Sequence, residues 1–111
     1  MKKFKMIALS APVKGRESEF NKWYQNVHLP EVVSAKGFKS AQRYRLTTTL
    51  QGNAYPYLTI YEIETDDIGK SLAEVGSRAT SMSDAIDVQG AYACIYEVCD
   101  VPVEHGDAVK R

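Results

Sequence analysis

The stretch Glu19-Phe20-Asn21-Lys22-Trp23-Tyr24-Gln25-Asn26-Val27-His28-Leu29-Pro30-Glu31-Val32 decides how this chain is read. Phe20, Trp23, Tyr24 and Val27 recur at i, i+3, i+4 and i+7, which is one face of an α-helix. Glu17 and Glu19 fall in its first turn, where carboxylates suit the positive end of the helix dipole. Pro30 disfavours helical geometry at Leu29, so the helix is expected to end or kink there, with a short turn carrying on through Val33. An aromatic face of this kind needs an apolar surface to lie on.

The flanking segments supply that surface. Upstream, residues 3–10 are rich in apolar side chains and read as a strand closed by Ser10-Ala11-Pro12. Downstream, Gly37 punctuates, and residues 38–46 alternate, with Phe38, Ser40, Gln42 and Tyr44 opposed to Lys39, Ala41, Arg43 and Arg45. Gly52-Asn53 marks a turn. Residues 57–64 form a third strand, dense in β-branched and aromatic residues. Thr65 or Asp66 is placed to cap a second helix with Ile68, Leu72, Val75 and Ala79 on one face. Residues 81–88 read as a further helical turn, residues 91–98 as a fourth strand, and Pro102 onward as a tail.

The resulting order, β-α-β-β-α-β, predicts an α+β chain with a ferredoxin-like antiparallel sheet and helices on one face. The domain is expected over residues 1–100 and the tail over 101–111. A sheet open to water on its second face should alternate apolar with polar residues. The third and fourth strands do not: Tyr57, Thr59, Tyr61 and Ile63 oppose Leu58 and Ile60, and Tyr92, Cys94, Tyr96 and Val98 oppose Ala91, Ala93 and Ile95. A second layer is therefore expected, most economically a second copy of the chain.

The segment Glu19 to Val32, followed by Lys36-Gly37-Phe38 and Gln42-Arg43-Tyr44, resembles the dimeric α+β barrel superfamily and within it the EthD-like branch. Its members carry an aromatic-rich first helix, a histidine, a short turn, a glycine-aromatic pair and then the second strand. The resemblance covers about two thirds of the chain, and Trp-Tyr-x-x-x-His-Leu-Pro-Glu is its distinctive part. It implies a homodimer with facing sheets and a pocket in each monomer between sheet and helices. The superfamily includes cofactor-independent oxygenases, polyketide cyclases, isomerases and haem-handling proteins, so the resemblance narrows the fold more than the reaction.

Composition removes several function classes. The chain has 111 residues, 44% of them hydrophobic, with 14 Lys plus Arg against 14 Asp plus Glu. A balance of zero lacks the basic excess that neutralises phosphates, so no nucleic acid is expected as partner. No apolar run approaches the ~20 residues that span a bilayer, and no signal peptide is read at the start, so a cytoplasmic protein without a membrane partner is expected. Gly69, Gly76 and Gly90 are isolated and form no phosphate loop. Cys94 and Cys99 point to opposite faces of a strand, ~16 Å apart, and read as two free, buried thiols. With only His28 and His105 available, no metal site is expected, and nothing favours haem ligation by His28.

The candidate site residues follow from helix and strands. His28 falls beside Tyr24 at the edge of the aromatic stripe and occupies the position of the family histidine. Its ordinary pKa suits proton transfer near neutrality, although an imidazole at a helix end also serves as a simple cap. Tyr24 and Tyr61 are the candidate partners in catalysis, because a phenol stabilises developing oxyanion charge. Trp23, Tyr44, Tyr96 and Arg43 are the candidate substrate contacts. Trp23 also fits the core, and Tyr61 and Tyr96 also fit a dimer core. Arg43 and Arg45 share a face and either grip a carboxylate or pair with Glu62 and Glu97. Asp66-Asp67 reads as helix capping and Glu31 as a solvated residue.

The expected function is a cofactor-independent enzyme using general acid/base chemistry on a small hydrophobic, aromatic or polyketide-like substrate. A cyclase, isomerase, dehydratase, lyase or oxygenase each fits. The alternative is a non-catalytic small-molecule binding or accessory protein of a catabolic or biosynthetic pathway.

Overall fold

A computed structural model describes residues 1–78 and 81–109. Strands β1 (Lys2–Ser10), β2 (Phe38–Arg45), β3 (Tyr57–Thr65) and β4 (Tyr92–Glu97) form one antiparallel sheet in the order β2-β3-β1-β4. The helices are α1 (Glu17–Trp23), α2 (Leu29–Val33) and α3 (Ile68–Arg78). This is the α+β, ferredoxin-like arrangement, with the two longest strands, β1 and β3, as its central pair.

The first helix does not end at Pro30. Tyr24–His28 form a π-helical turn in which the Leu29 amide donates to the Tyr24 carbonyl, and α2 resumes with Pro30 in its first turn. Proline lacks an amide hydrogen and its ring crowds the carbonyl four residues back, and the wider turn relieves both problems. The extra residue also breaks the 3.6 period. Val27, expected on the buried stripe, is 37% exposed. Phe20, Trp23 and Tyr24 remain buried.

Further along, α3 is capped by Asp67, whose Oδ1 accepts from the Lys70 amide at 3.0 Å, and not by Thr65 or Asp66. Thr65 Oγ1 instead accepts from the Asp67 amide, and Asp66 lies 3.8 Å from the N-terminal ammonium. The buried residue of α3 is Ser71, while Leu72 is exposed; Ala79 lies outside the described residues. Residues 81–87 form no helix, contrary to the helical turn expected over residues 81–88. Ile86 bridges Pro12, and Val13 and Asp87 donate to Ala85 and Ala11, so this segment is stitched to the chain after β1 in extended form. Two short 3-10 turns, Val88–Gly90 and His105–Val109, precede and follow β4. Both cysteines are free, but neither is buried as expected: Cys94 is half-buried and Cys99 exposed.

The register assigns every strand residue to a face. Phe4, Tyr57, Thr59, Tyr61 and Ile63 pack against the helices, with Tyr61 1% exposed and Phe20 wholly buried above the sheet. Gly37 leads into β2 at φ 95°, where a Cβ would meet Ser71 Oγ at 3.0 Å and the Glu64 carbonyl at 3.1 Å; only glycine fits without strain. Just beyond it, between Phe38 and Ser40, β2 carries a bulge. The extra residue puts Phe38 on the helix side together with Ala41 and Arg43, while Ser40, Gln42 and Tyr44 turn to the opposite face.

That opposite face carries Ile7 and Leu9 of β1, Leu58 and Ile60 of β3, Tyr44 of β2, and Tyr92, Cys94 and Tyr96 of β4. Lys5 and Glu62 form an ion pair at its edge. The three tyrosines are half exposed or more.

Candidate functional site

α1 and the π-helical turn lay one aromatic cluster on the helix side of the sheet. Phe20 lies edge-on to Tyr24 at 5.4 Å and tilted against Tyr57 at 5.5 Å. Trp23 is buried, and its indole N–H donates to the Ser81 carbonyl at 2.6 Å. The π-helical turn brings the His28 ring over Trp23, stacked at 4.8 Å, and edge-on to Tyr24 at 4.9 Å. Tyr61 rises from the centre of β3 beneath them.

Electrostatics in this envelope favour neutral forms. Burial pushes the His28 imidazole below its ordinary value of 6.5, and nearby Glu31 opposes that only in part. His28 Nδ1 is buried and makes no hydrogen bond among the described residues. Burial likewise pushes the Tyr61 phenol well above its usual range, and the adjoining Tyr24 phenol adds to this. Tyr61 therefore stays protonated and serves as a donor, not as a base.

The depressed imidazole has a consequence for stability. The unfolded chain takes up a proton near pH 6.5 that the folded chain accepts only at lower pH, so stability is lost as pH falls through this window. Urea denaturation at pH 7.5, 6.5 and 5.5 is expected to show wild type losing ground to His28→Asn on acidification. A difference independent of pH would mean that folding leaves the imidazole unperturbed.

Arg43 closes the cluster. Its guanidinium carbon lies 4.8 Å from the Tyr24 ring centre, 4.9 Å from Tyr57 and 5.5 Å from Phe20, within cation–π range of all three. Arg43 Nη2 donates to Asn21 Oδ1 at 2.8 Å, Asn21 Nδ2 donates to the Tyr57 hydroxyl at 3.1 Å, and Tyr57 donates to Glu17 Oε2 at 2.5 Å. Arg43 and Arg45 thus do not pair with Glu62 and Glu97, because those carboxylates bond Lys5 and lie near Lys2 instead. Glu31, read as solvated, accepts from the Ser81 amide at 3.3 Å.

Of the seven residues singled out from the sequence, His28, Tyr24, Tyr61, Trp23 and Arg43 come together on the helix side. Tyr44 and Tyr96 do not: they stand on the other face of the sheet, 49% and 61% exposed. The expected substrate contacts Tyr44 and Tyr96 are thus separated from the cluster that holds Tyr24 and Tyr61. Sequence reasoning passed over Asn21, Tyr57 and Glu17. The available signal was spacing: Glu17 and Asn21 are four apart on a helix, beside a strand that begins with Tyr57.

Open space adjoins the cluster. A cleft of about 380 Å³ runs between the first helix and β2, lined by Asn21, Lys22, Gln25, Asn26, Arg43, Tyr44, Arg45 and Tyr57. A second of about 570 Å³ shares Asn21, Lys22, Arg45 and Tyr57 and adds Glu17 and Ser18. His28 lines neither; Arg43 stands between the imidazole's neighbour Tyr24 and the first cleft. Among the described residues no group of three or more His, Cys, Asp or Glu could hold a metal ion. No described helix is long and apolar enough to cross a membrane.

This α+β fold is shared with solved structures. A "putative monooxygenase" from Shewanella loihica PV-4 superposes with a TM-score of 0.61 at 13% identity, over 91% of this chain and 99% of the other. An ethyl tert-butyl ether D (EthD) family protein from Bacillus halodurans C-125 superposes with a TM-score of 0.59 at 19% identity, over 89% of this chain and all of the other. At such identities the likeness shows the fold alone. By sequence, residues 13–75 match the family described as a domain of unknown function (DUF4286), and the chain belongs to that family. No curated protein matches it.

Proposed function

We propose that this protein is a cofactor-independent acid/base enzyme acting on a small hydrophobic molecule, with His28 as the proton carrier. The observation that carries this reading is the buried, unpartnered Nδ1 of His28 in an imidazole held neutral beside Tyr24. Neutral imidazole abstracts a proton, the protonated Tyr61 and the Tyr24 hydroxyl donate hydrogen bonds to the oxyanion that forms, and Arg43 offsets its charge. The ligand reaches the cluster from the cleft beside β2 as the Arg43 side chain swings aside. The names borne by the two structural neighbours, a monooxygenase and an EthD family protein, are compatible with small-molecule chemistry of this kind.

The reading includes a homodimer through the apolar sheet face. Ile7, Leu9, Leu58 and Ile60 form a stripe there, with Tyr44, Tyr92 and Tyr96 around it, and burying it against a second copy removes the largest exposed aromatic surface of the chain.

A second reading has its own support. The His28 ring is stacked on Trp23 and lines neither cleft, which suits a binding or accessory protein in which the imidazole only fixes the helix. One screen separates the two. Flat phenols, quinones and aromatic ketones are mixed with the protein while ligand absorbance and the emission of Trp23, the only tryptophan, are followed. Saturable quenching followed by a spectral change in the ligand is the expected result. Saturable quenching with an unchanged ligand across the whole panel would instead establish the binding protein.

A further inference from the structure

The cleft beside β2 has a chemistry of its own. Of the four described arginines, Arg16 and Arg78 pair with carboxylates, whereas Arg43 and Arg45 pair with none among the described residues. The two lie at i and i+2 on one strand, pointing to the same side, about 7 Å apart at the backbone. Both line the cleft, and Lys22 faces them across it from α1. The single carboxylate nearby, Glu17, is engaged by the Tyr57 hydroxyl. Like charges left together in this way repel, and burial of Arg43 adds to the cost, since its Nε is buried without a partner. The ring contacts and the bond to Asn21 offset only part of that cost, because no carboxylate among the described residues neutralises the charge.

The acceptors of Asn21 and Tyr57 beside Arg43 are already engaged. Asn21 turns its oxygen to Arg43 and its amide nitrogen to Tyr57, which leaves that nitrogen's second hydrogen free. Arg43, Arg45, Lys22 and Asn21 together present N–H groups to a space of about 380 Å³, walled on one side by the Tyr57 ring. We propose that this cleft binds the carboxylate of a small aromatic organic acid, with Arg43 and Arg45 gripping the anion and Tyr57 bordering its ring. A planar guanidinium flanked by aromatic rings offers an edge with two parallel N–H bonds, the geometry that fits a carboxylate. The inference shares Arg43 with the reading above and names its ligand class, but binding requires no proton transfer at His28, so each fails separately.

The test is an NMR titration of ¹⁵N-labelled full-length protein with benzoate, salicylate and 4-hydroxycinnamate, each against its neutral amide, and with inorganic phosphate. At least one carboxylate is expected to shift the Asn21, Lys22, Arg43 and Arg45 signals saturably while its amide does not. Arg45→Gln, at an exposed position, is expected to weaken that binding about tenfold with an unchanged spectrum elsewhere. His28→Asn is expected to leave the affinity within about twofold. Three outcomes overturn the proposal: no carboxylate shifts these signals, the amides bind as well as the acids, or phosphate binds there more tightly than every carboxylate. Unchanged turnover in His28→Asn with benzoate binding intact would leave the cleft standing on its own.

Discussion

His28→Asn is expected to lower turnover by about 10²- to 10⁴-fold while the affinity for ligand changes little. Asparagine keeps a polar group near the position of Nδ1 but cannot carry a proton, so it isolates titration from shape. The fold is expected to survive, because His28 is partly exposed and the main loss is one ring stacked on Trp23, worth about 1 kcal/mol. The pH profile sharpens the test. With the imidazole pushed below 6.5, the rate of the wild type should be flat through neutrality and fall only on acidification, and the variant should lose that limb. Equal turnover in wild type and variant would remove His28 from the chemistry and favour the binding protein.

The second large effect concerns the uncovered sheet face. Ile60→Lys is expected to turn a dimer into a monomer by sedimentation velocity, with dissociation favoured by about 100-fold or more. Ile60 sits in the middle of that face, opposite Ile7 and Gln42 on the flanking strands. A lysine there would leave an unpaired charge in an apolar contact, which costs about 3–5 kcal/mol, and each 1.4 kcal/mol is tenfold in affinity. The monomer is expected to keep its circular dichroism, because Ile60 points away from the Phe20–Tyr61 core. A wild type that sediments as a monomer at every concentration would sink the dimer reading, and the tyrosines of that face would then need another partner. Arg45→Gln serves as the control, since Arg45 stands on the helix side and should leave assembly unchanged.

The two effects separate because the sheet has two sides with different work. On the helix side, the chain concentrates rings, one imidazole and two arginines that pair with no carboxylate among the described residues. On the other, it leaves aliphatic residues and half-exposed tyrosines. Whether a given tyrosine belongs to the first set or the second changes what it can do, and here the sequence misleads. Phe38 and Tyr44 are six apart in β2 and by simple alternation share a face. The bulge between Phe38 and Ser40 reverses the parity, so Phe38 enters the core and Tyr44 leaves it. Tyr96 is displaced by register. Tyr61 pairs with Met6 and Met6 with Ile95, which sends Tyr96 to the opposite side. Both faces of β4 are apolar enough that alternation gives no warning.

The sequence by itself determined the order of elements, the antiparallel α+β sheet, the aromatic stripe of Phe20, Trp23 and Tyr24, and the nearness of His28 to Tyr24. All of these follow from local periodicity, which sets the faces of a helix or strand before it packs. Only the tertiary structure decided that the helix passes Pro30 through a π-helical turn, that Val27 is turned out, and that Arg43 meets Asn21, Tyr57 and Glu17. Those outcomes depend on strand register, on one bulged residue and on contacts between positions 22 to 40 residues apart. A local pattern carries no record of such distances, because the energy that fixes them comes from packing across the sheet.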